Sequence, residues 1–151
     1  MKRILFVCLG NICRSPMAEG LFRQYTIAAG KKISVDSAAT SRWEVGNPPH
    51  PGTQKILKKA GIDFSAMVSR QLQQEDFYHF DYIVGMDKEN VADILAVAPQ
   101  DKTAKVASYL SVVAERKNES IPDPYYTGDF YETKRLIEVG LAPWLEILTA
   151  D

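Results

Sequence analysis

The chain has 151 residues, of which 46% are hydrophobic and 25% charged, and its formal net charge is −1. This length suits one compact domain with a sizeable core, and the near-neutral charge gives no indication of a nucleic-acid or membrane partner. The two cysteines, Cys8 and Cys13, lie close together in sequence, which argues against a secreted, disulfide-rich protein.

The N-terminal segment indicates a buried strand rather than a leader peptide. Ile4-Leu5-Phe6-Val7 is a continuous apolar run, typical of a parallel strand covered on both faces. Together with Met1-Lys2-Arg3 before it, this run is similar to the start of a signal peptide. Its apolar stretch is shorter than that of a signal peptide, however, and it continues into Gly10 and Asn11. No segment approaches the length of a membrane-spanning helix. We therefore expect a cytoplasmic protein that does not insert into membranes.

The remaining predicted elements alternate between helices and strands. In chain order they are a helix at 16–29, a strand at 33–37, a loop at 38–51, a helix at 51–60, a strand at 80–86, a helix around 91–95, a strand at 105–110 and a helix at 130–148. This alternation predicts a parallel α/β sheet with right-handed crossovers. Ligands of such sheets bind beyond the carboxyl ends of the strands.

The segment from Cys8 to Ser15, called here the Cys8 loop, joins the first strand to the first helix. Its sequence is Cys8-Leu9-Gly10-Asn11-Ile12-Cys13-Arg14-Ser15, and we predict Ser15 as the N-cap with Pro16 at the first helical position. A helix N-terminus presents unpaired N–H groups and the positive end of the helix dipole, which favours an oxyanion. Cys8 as nucleophile and Arg14 as clamp would flank that anion. The pattern predicts a phosphate-ester hydrolase that forms a cysteinyl-phosphate.

Each of these residue types also has an ordinary structural explanation. A lone cysteine is usually a small buried hydrophobic residue, and a lone arginine is usually a surface charge. Asp123 lies between two prolines, where a turn residue is common. Gly10 permits close backbone approach, and Asn11 tolerates a left-handed conformation. The combination of Cys8 and Arg14 at one strand-to-helix loop is what favours the catalytic interpretation.

Two motifs make the chain similar to the low-molecular-weight protein tyrosine phosphatases. Residues 8–15 match the C-x-G-N-x-C-R-S signature of that family, and Ile121-Pro122-Asp123-Pro124-Tyr125-Tyr126 matches its aspartate loop. Further matches fall between them in the family's order: Ser37-Ala38-Ala39-Thr40, Trp43-Glu44-Val45-Gly46, Ser69-Arg70-Gln71-Leu72 and Met86-Asp87. The resemblance implies one α/β domain over residues 1–151. Its sheet would be four-stranded, parallel and twisted, with helices on both faces and a phosphate-binding loop after the first strand.

The resemblance also implies roles for individual residues. Cys8 would attack phosphorus, Arg14 would bind the phosphoryl oxygens, and Asp123 would protonate the leaving oxygen and then activate water. The phosphate-binding residues would be Leu9, Gly10, Asn11, Ile12, Cys13 and Ser15. The Ser15 hydroxyl would also be directed at the Cys8 sulfur, where it would stabilise the thiolate, a role compatible with that of an N-cap. Trp43, Tyr125 and Tyr126 would form the mouth of the cleft and accept the ring of phosphotyrosine. Neither a metal nor another cofactor is implied, and His50 and His79 lack the clustered spacing of metal ligands.

Three further features bear on regulation and specificity. Cys13 either packs beneath the loop or traps an oxidised Cys8 as a disulfide, which predicts reversible inactivation by peroxide. Ala39 stands where the family usually has glycine. His50-Pro51-Gly52 stands where the family usually has Asp-Pro followed by a basic residue. These departures concern loop geometry and substrate preference rather than the chemistry.

Several other functions compete with phosphotyrosine hydrolysis. Arsenate reductases of this fold need cysteines beyond the loop, and none follows Cys13. Arginine phosphatases typically carry threonine at the position of Ile12. A silent phosphotyrosine-binding module would have lost Cys8 or Asp123, and a nucleotide-binding domain would need a G-x-G-x-x-G pattern. We expect phosphotyrosine-containing proteins as substrates, no nucleic-acid partner, and a monomer or weak homodimer.

Overall fold

The computed structural model describes residues 1–150 as one α/β domain. The strands are β1 (Lys2–Cys8), β2 (Ile33–Ala39), β3 (Tyr82–Gly85) and β4 (Lys105–Ser108). The α-helices are α1 (Arg14–Ala28), α2 (Pro51–Lys59), α3 (Asp76–His79), α4 (Lys88–Val97), α5 (Pro124–Thr127) and α6 (Phe130–Thr149). Two 3₁₀ turns, Tyr109–Val112 and Ala114–Arg116, follow β4.

The four strands form a single parallel sheet in the order β2-β1-β3-β4, which confirms the predicted fold class. Cys8 at the end of β1 lies opposite Ala39 at the end of β2, and Val7 lies opposite Gly85 at the end of β3. The carboxyl ends of three strands therefore meet at one edge of the sheet. The Cys8 loop begins at this edge.

Helices cover both faces of the sheet. Ile4 and Phe6 on one face of β1 pack in a core with Phe22 of α1 and Trp144 of α6. Leu5, Val7 and other side chains of the opposite face pack with Phe77 of α3 and Ile94 of α4. All four side chains from Ile4 to Val7 are fully buried, and such burial stabilises the fold by about 1.5–3 kcal/mol for each large side chain. No helix within residues 1–150 combines the length and apolar character needed to cross a bilayer.

The start of α1 differs from the prediction. The helix begins at Arg14, its N-cap residue is Cys13, and no side chain caps it. The prediction of Ser15 as N-cap was therefore wrong, because the Ser15 hydroxyl contacts the Cys8 sulfur instead. An uncapped helix start leaves its N–H groups available to a ligand.

Some element boundaries also differ from the prediction. β3 and β4 are shorter than the predicted strands at 80–86 and 105–110, and β2 continues to Ala39. The four-residue helices α3 and α5 were not predicted, since each is too short to show a hydrophobic period.

Candidate active site

The Cys8 loop turns its carbonyl groups outward, where surrounding residues donate to them. The donors are Thr40 N to Cys8 O (3.0 Å), Ser41 N and Oγ to Leu9 O (3.1 and 2.8 Å), Ser69 Oγ to Gly10 O (2.8 Å), His50 N to Ile12 O (2.8 Å) and Thr53 Oγ1 to Cys13 O (3.1 Å). In contrast, the N–H groups from Leu9 to Cys13 donate to no backbone acceptor within residues 1–150. The loop is thus a set of unpaired donors in front of a helix N-terminus, which is suited to an oxyanion.

Asn11 holds the loop together from its centre. Its φ of 57° is the only positive φ at a non-glycine position in residues 1–150, as expected for an asparagine in a left-handed turn. Its Oδ1 accepts from Arg70 N (3.1 Å), which fixes the orientation of the amide. Its Nδ2 therefore donates to both Ser15 Oγ (2.7 Å) and Ser37 Oγ (2.9 Å).

The direction of these bonds aims the Ser15 hydroxyl at the Cys8 sulfur. Ser15 Oγ accepts from Asn11, so its own hydrogen is free for Cys8 Sγ at 3.1 Å. The Ser15 N–H also donates to Cys8 Sγ, at 3.4 Å. Two donors on the sulfur stabilise a thiolate.

The same network continues away from the sulfur to an ion pair whose carboxylate is buried and whose arginine is partly exposed. Ser37 Oγ accepts from Asn11 and donates to Glu19 Oε1 at 2.6 Å. Arg23 Nη2 donates to Glu19 Oε2 at 2.7 Å, so the carboxylate is satisfied on both oxygens. Each hydroxyl in the chain from Glu19 to Cys8 consequently has one favoured orientation.

Arg14 lies beneath the loop with only 2% of its surface exposed. Its Nη1 donates to Asp87 Oδ2 (2.6 Å) and Ile121 O (2.9 Å), and its Nη2 lies 3.4 Å from Asp123 Oδ2. Nε is buried and has no partner among the described residues. Burial lowers the pKa of Arg14, but the charges of Cys8, Asp87 and Asp123 outweigh it, and the net shift is upward. The guanidinium is thus a permanent cation with unused donors.

Asp123 enters the site from the aspartate loop rather than from the Cys8 loop. It precedes α5, and its Oδ1 accepts from Tyr125 N at 3.1 Å while its Oδ2 faces Arg14. The carboxylate is partly exposed and lines the same cavity as Cys8. Both prolines that flank it restrict its backbone.

The cavity in front of Cys8, called here the cleft, has a volume of about 160 Å³. Its lining residues are Cys8, Leu9, Gly10, Ile12, Cys13, Trp43, Glu44, Asp123, Tyr125 and Tyr126. Trp43 and Tyr126 are 76% and 73% exposed and form its mouth. Three expected site residues, Asn11, Arg14 and Ser15, lie behind the loop instead. Within residues 1–150 no group of three potential metal ligands comes together.

Comparison with known proteins places this chain in a family. A family model described as low molecular weight phosphotyrosine protein phosphatase matches residues 3–151. The low molecular weight protein-tyrosine-phosphatase YfkJ of Bacillus subtilis is 46% identical over 142 residues, covering 93% of this chain and 91% of YfkJ. The chain belongs to the low molecular weight phosphotyrosine protein phosphatases.

Solved structures of similar proteins agree with this assignment. The crystal structure of YfkJ matches with a TM-score of 0.91 and 45% identity over 97% of this chain and 94% of that one. A low molecular weight protein tyrosine phosphatase from Streptococcus pyogenes matches with a TM-score of 0.86 and 40% identity, covering 100% and 95%. A drosophila arginine phosphatase matches with a TM-score of 0.90 and 32% identity, covering 100% and 99%. The phosphatase fold thus extends over the whole described chain.

Sequence reasoning assigned no role to several residues that build this phosphatase site. Asp87 both caps α4 through Asn90 N and binds Arg14. Asp87 follows the end of β3 by two residues, at the sheet edge that holds Cys8, and this position in the sequence could have indicated a role in the site. Glu19 carried no signal, and Ser37 only that of its place in the Ser37-Ala38-Ala39-Thr40 match, because their link to Cys8 depends on tertiary contacts between α1 and β2.

Cys13 differs from Cys8 in its surroundings. Burial raises the pKa of the Cys13 thiol, and the charges of Cys8 and Asp123 raise it further. The thiol therefore stays protonated at neutral pH. Cys13 lines the cleft together with Cys8.

The raised pKa of Cys13 predicts that the protein loses stability in alkaline solution. Unfolding exposes the thiol, whose pKa then returns to about 8.5. Above that pH the native state holds one proton more than the unfolded state, so the free energy of unfolding falls as pH rises. Urea unfolding of wild type and Cys13→Ala between about pH 7 and pH 9.5 measures this effect. The variant is expected to show a weaker decline, and parallel curves would contradict the assignment.

Proposed function

We propose that this phosphatase hydrolyses phosphotyrosine in proteins through a phosphoryl group carried on Cys8. One arrangement supports this most directly: Cys8 and Asp123 line one cleft with aromatic walls, and Arg14, whose Nε has no partner among the described residues, reaches Asp123 from behind the Cys8 loop. A nucleophile, an oxyanion clamp and a proton donor are the groups that phosphate-ester hydrolysis needs.

In the first step the Cys8 thiolate attacks phosphorus, forming the S–P bond as the bond from phosphorus to the aryl oxygen breaks. The free loop N–H groups and the Arg14 fork bind the phosphoryl oxygens, where charge accumulates. Asp123 enters this step protonated and gives its proton to the leaving oxygen. That transfer is needed because the conjugate acid of a phenoxide has a pKa of about 10.

In the second step water attacks the phosphoryl group on Cys8. The Asp123 carboxylate accepts a proton from this water, the S–P bond breaks, and inorganic phosphate and the Cys8 thiolate are released. The Ser15 hydroxyl, at 3.1 Å, stabilises the sulfur as it leaves. Asp123 therefore ends the cycle protonated, ready for the next substrate.

The shape of the cleft favours an aryl phosphate. Trp43, Tyr125 and Tyr126 stand at its mouth while Cys8 lies at its floor, so a flat ring can span the distance between them. Phosphoserine is too short to use these walls. Phosphoarginine is the second candidate, because the matching drosophila protein is an arginine phosphatase, but Ile12 lines the cleft where threonine is typical of that group.

A substrate comparison tests this proposal. We would measure kcat/KM for one peptide carrying phosphotyrosine, phosphoserine or phosphoarginine, with a chelator present and thiols kept reduced. We expect kcat/KM to be higher for phosphotyrosine than for phosphoserine by at least roughly 10²-fold. Phosphoserine lacks both the ring that contacts the cleft walls and the aryl leaving group. A preference for phosphoarginine, or turnover that the chelator removes, would contradict the proposal.

The setting of the enzyme belongs to the same proposal. A reduced, catalytic thiol suits the cytoplasm, where phosphotyrosine proteins are available. We propose a monomer or weak homodimer that needs no nucleic acid, metal or other cofactor.

A further inference from the structure

His50 makes four contacts, two of which connect the Cys8 loop to the aspartate loop. Its main-chain N–H donates to Ile12 O at 2.8 Å, and its Nδ1 accepts from Gly52 N at 3.0 Å as the N-cap of α2. Its ring stacks on Phe130 with 4.9 Å between centroids and an interplanar angle of 25°. It also meets Tyr125 edge-on, at 6.1 Å and 82°.

The His50 ring is firmly held. The bond from Gly52 fixes the orientation of the imidazole, and Phe130 covers one of its faces. Phe130 is itself confined, because a Cβ added at Gly52 would lie 2.5 Å from its ring. The start of α2 and the start of α6 therefore enclose the imidazole between them.

Tyr125 depends on this ring for its position. It is 57% exposed and has two aromatic neighbours among the described residues, His50 and Tyr126. Tyr126 is 73% exposed and cannot anchor it. The bond from Tyr125 N to Asp123 holds the main chain but leaves the side chain free to rotate. His50 is thus the one fixed aromatic group against which Tyr125 rests.

We propose that His50 is a positioning residue for the aryl group of the substrate, acting through Tyr125. Resting on the proposed phosphotyrosine phosphatase activity, this inference adds a determinant of substrate affinity outside the cleft lining. The fixed imidazole keeps the Tyr125 ring in place as a wall, so the wall need not be ordered when substrate binds. An aromatic pair of this kind contributes modestly, equivalent to about two- to tenfold in an equilibrium constant.

The test compares two substitutions that separate the ring from the cap. His50→Asn keeps an acceptor suited to an N-cap but removes the aromatic face. It is expected to raise KM for phosphotyrosine by roughly two- to tenfold. kcat should stay within about twofold when hydrolysis of the Cys8 phosphoryl group limits turnover, because the aryl group has left the cleft by that step. His50→Phe restores the aromatic face without the cap, and is expected to bring KM back towards wild type while lowering the melting temperature.

Competitive inhibition by inorganic phosphate separates positioning from a general structural effect. Phosphate contacts the Cys8 loop and not Tyr125, so its inhibition constant should not change in His50→Asn. A parallel rise in KM and in the inhibition constant of inorganic phosphate would overturn the proposal. It would show that the substitution distorts the Cys8 loop through the bond from His50 N to Ile12 O.

A Tyr125→Leu background supplies the last control. Adding His50→Asn to this variant is expected to change KM no further, because the group on which His50 acts is already gone. An independent, additive rise would overturn the proposal.

If wild type turns over phosphotyrosine but His50→Asn leaves KM unchanged, only this inference fails. If wild type shows no such turnover, the proposed function fails first.

Discussion

Replacing Cys8 with serine is expected to abolish hydrolysis of p-nitrophenyl phosphate, with a loss of at least roughly 10⁴-fold in kcat. The serine hydroxyl is nearly isosteric, but it is not ionised near neutral pH, and the donors from Ser15 cannot make it so. The phosphoryl group then has no covalent acceptor. Steady-state assays at mildly acidic pH measure the loss.

Folding of the Cys8→Ser protein must be shown independently. Its melting temperature should lie close to that of wild type, since the change is small and the Ser15 and Asn11 contacts can persist. Cys13→Ser, which removes the other thiol, is expected to remain active. If the Cys8→Ser protein turned over substrate as fast as the wild type, another group would be the nucleophile.

Arg14→Lys is expected to lower kcat/KM by about 10²–10³-fold, the cost of losing preorganised donors at a developing oxyanion. Lysine keeps the charge but loses the planar fork that reaches Asp87, Ile121 and the substrate at once. The same change removes part of the contact with the partly buried carboxylates of Asp87 and Asp123. We would measure kcat, KM and inhibition by inorganic phosphate, and all three should worsen.

A surface arginine provides the matched control for this substitution. Arg116 pairs with Glu119 at 3.1 Å and has a 41% exposed side chain, so Arg116→Lys should leave kcat/KM within about twofold. Near-normal turnover in Arg14→Lys would contradict the proposed clamp.

The fold could be predicted from local patterns because its determinants are local. The apolar run Ile4 to Val7 and the alternating helices and strands identify a parallel sheet before any contact is known. The helices α3 and α5 escaped prediction because four residues carry no period. The Ser15 N-cap was wrong for a different reason: the hydroxyl that would cap the helix in isolation bonds to the Cys8 sulfur.

The candidate site was predictable only in part. Cys8, Arg14 and Asp123 belong to two recognisable motifs, and the structure places Cys8 and Asp123 in one cleft with Arg14 behind it, within 3.4 Å of Asp123. The contact between Asp87 and Arg14, and the network from Glu19 through Ser37 and Asn11, join residues distant in sequence. Hydrogen bonds of this kind depend on the register of β1 against its neighbours, which local pattern does not specify.

Trapping the phosphorylated enzyme tests the central claim most directly. Asp123→Asn should slow hydrolysis of the intermediate more than its formation. The amide cannot accept a proton from water, whereas p-nitrophenolate is a weak base that leaves with little help from an acid. We would mix this variant with p-nitrophenyl phosphate, quench in acid within a turnover, and locate the added phosphoryl group by mass spectrometry of peptides. The account predicts one phosphoryl group, on Cys8, and none in the double variant Cys8→Ser Asp123→Asn. A phosphoryl group on another residue would contradict it.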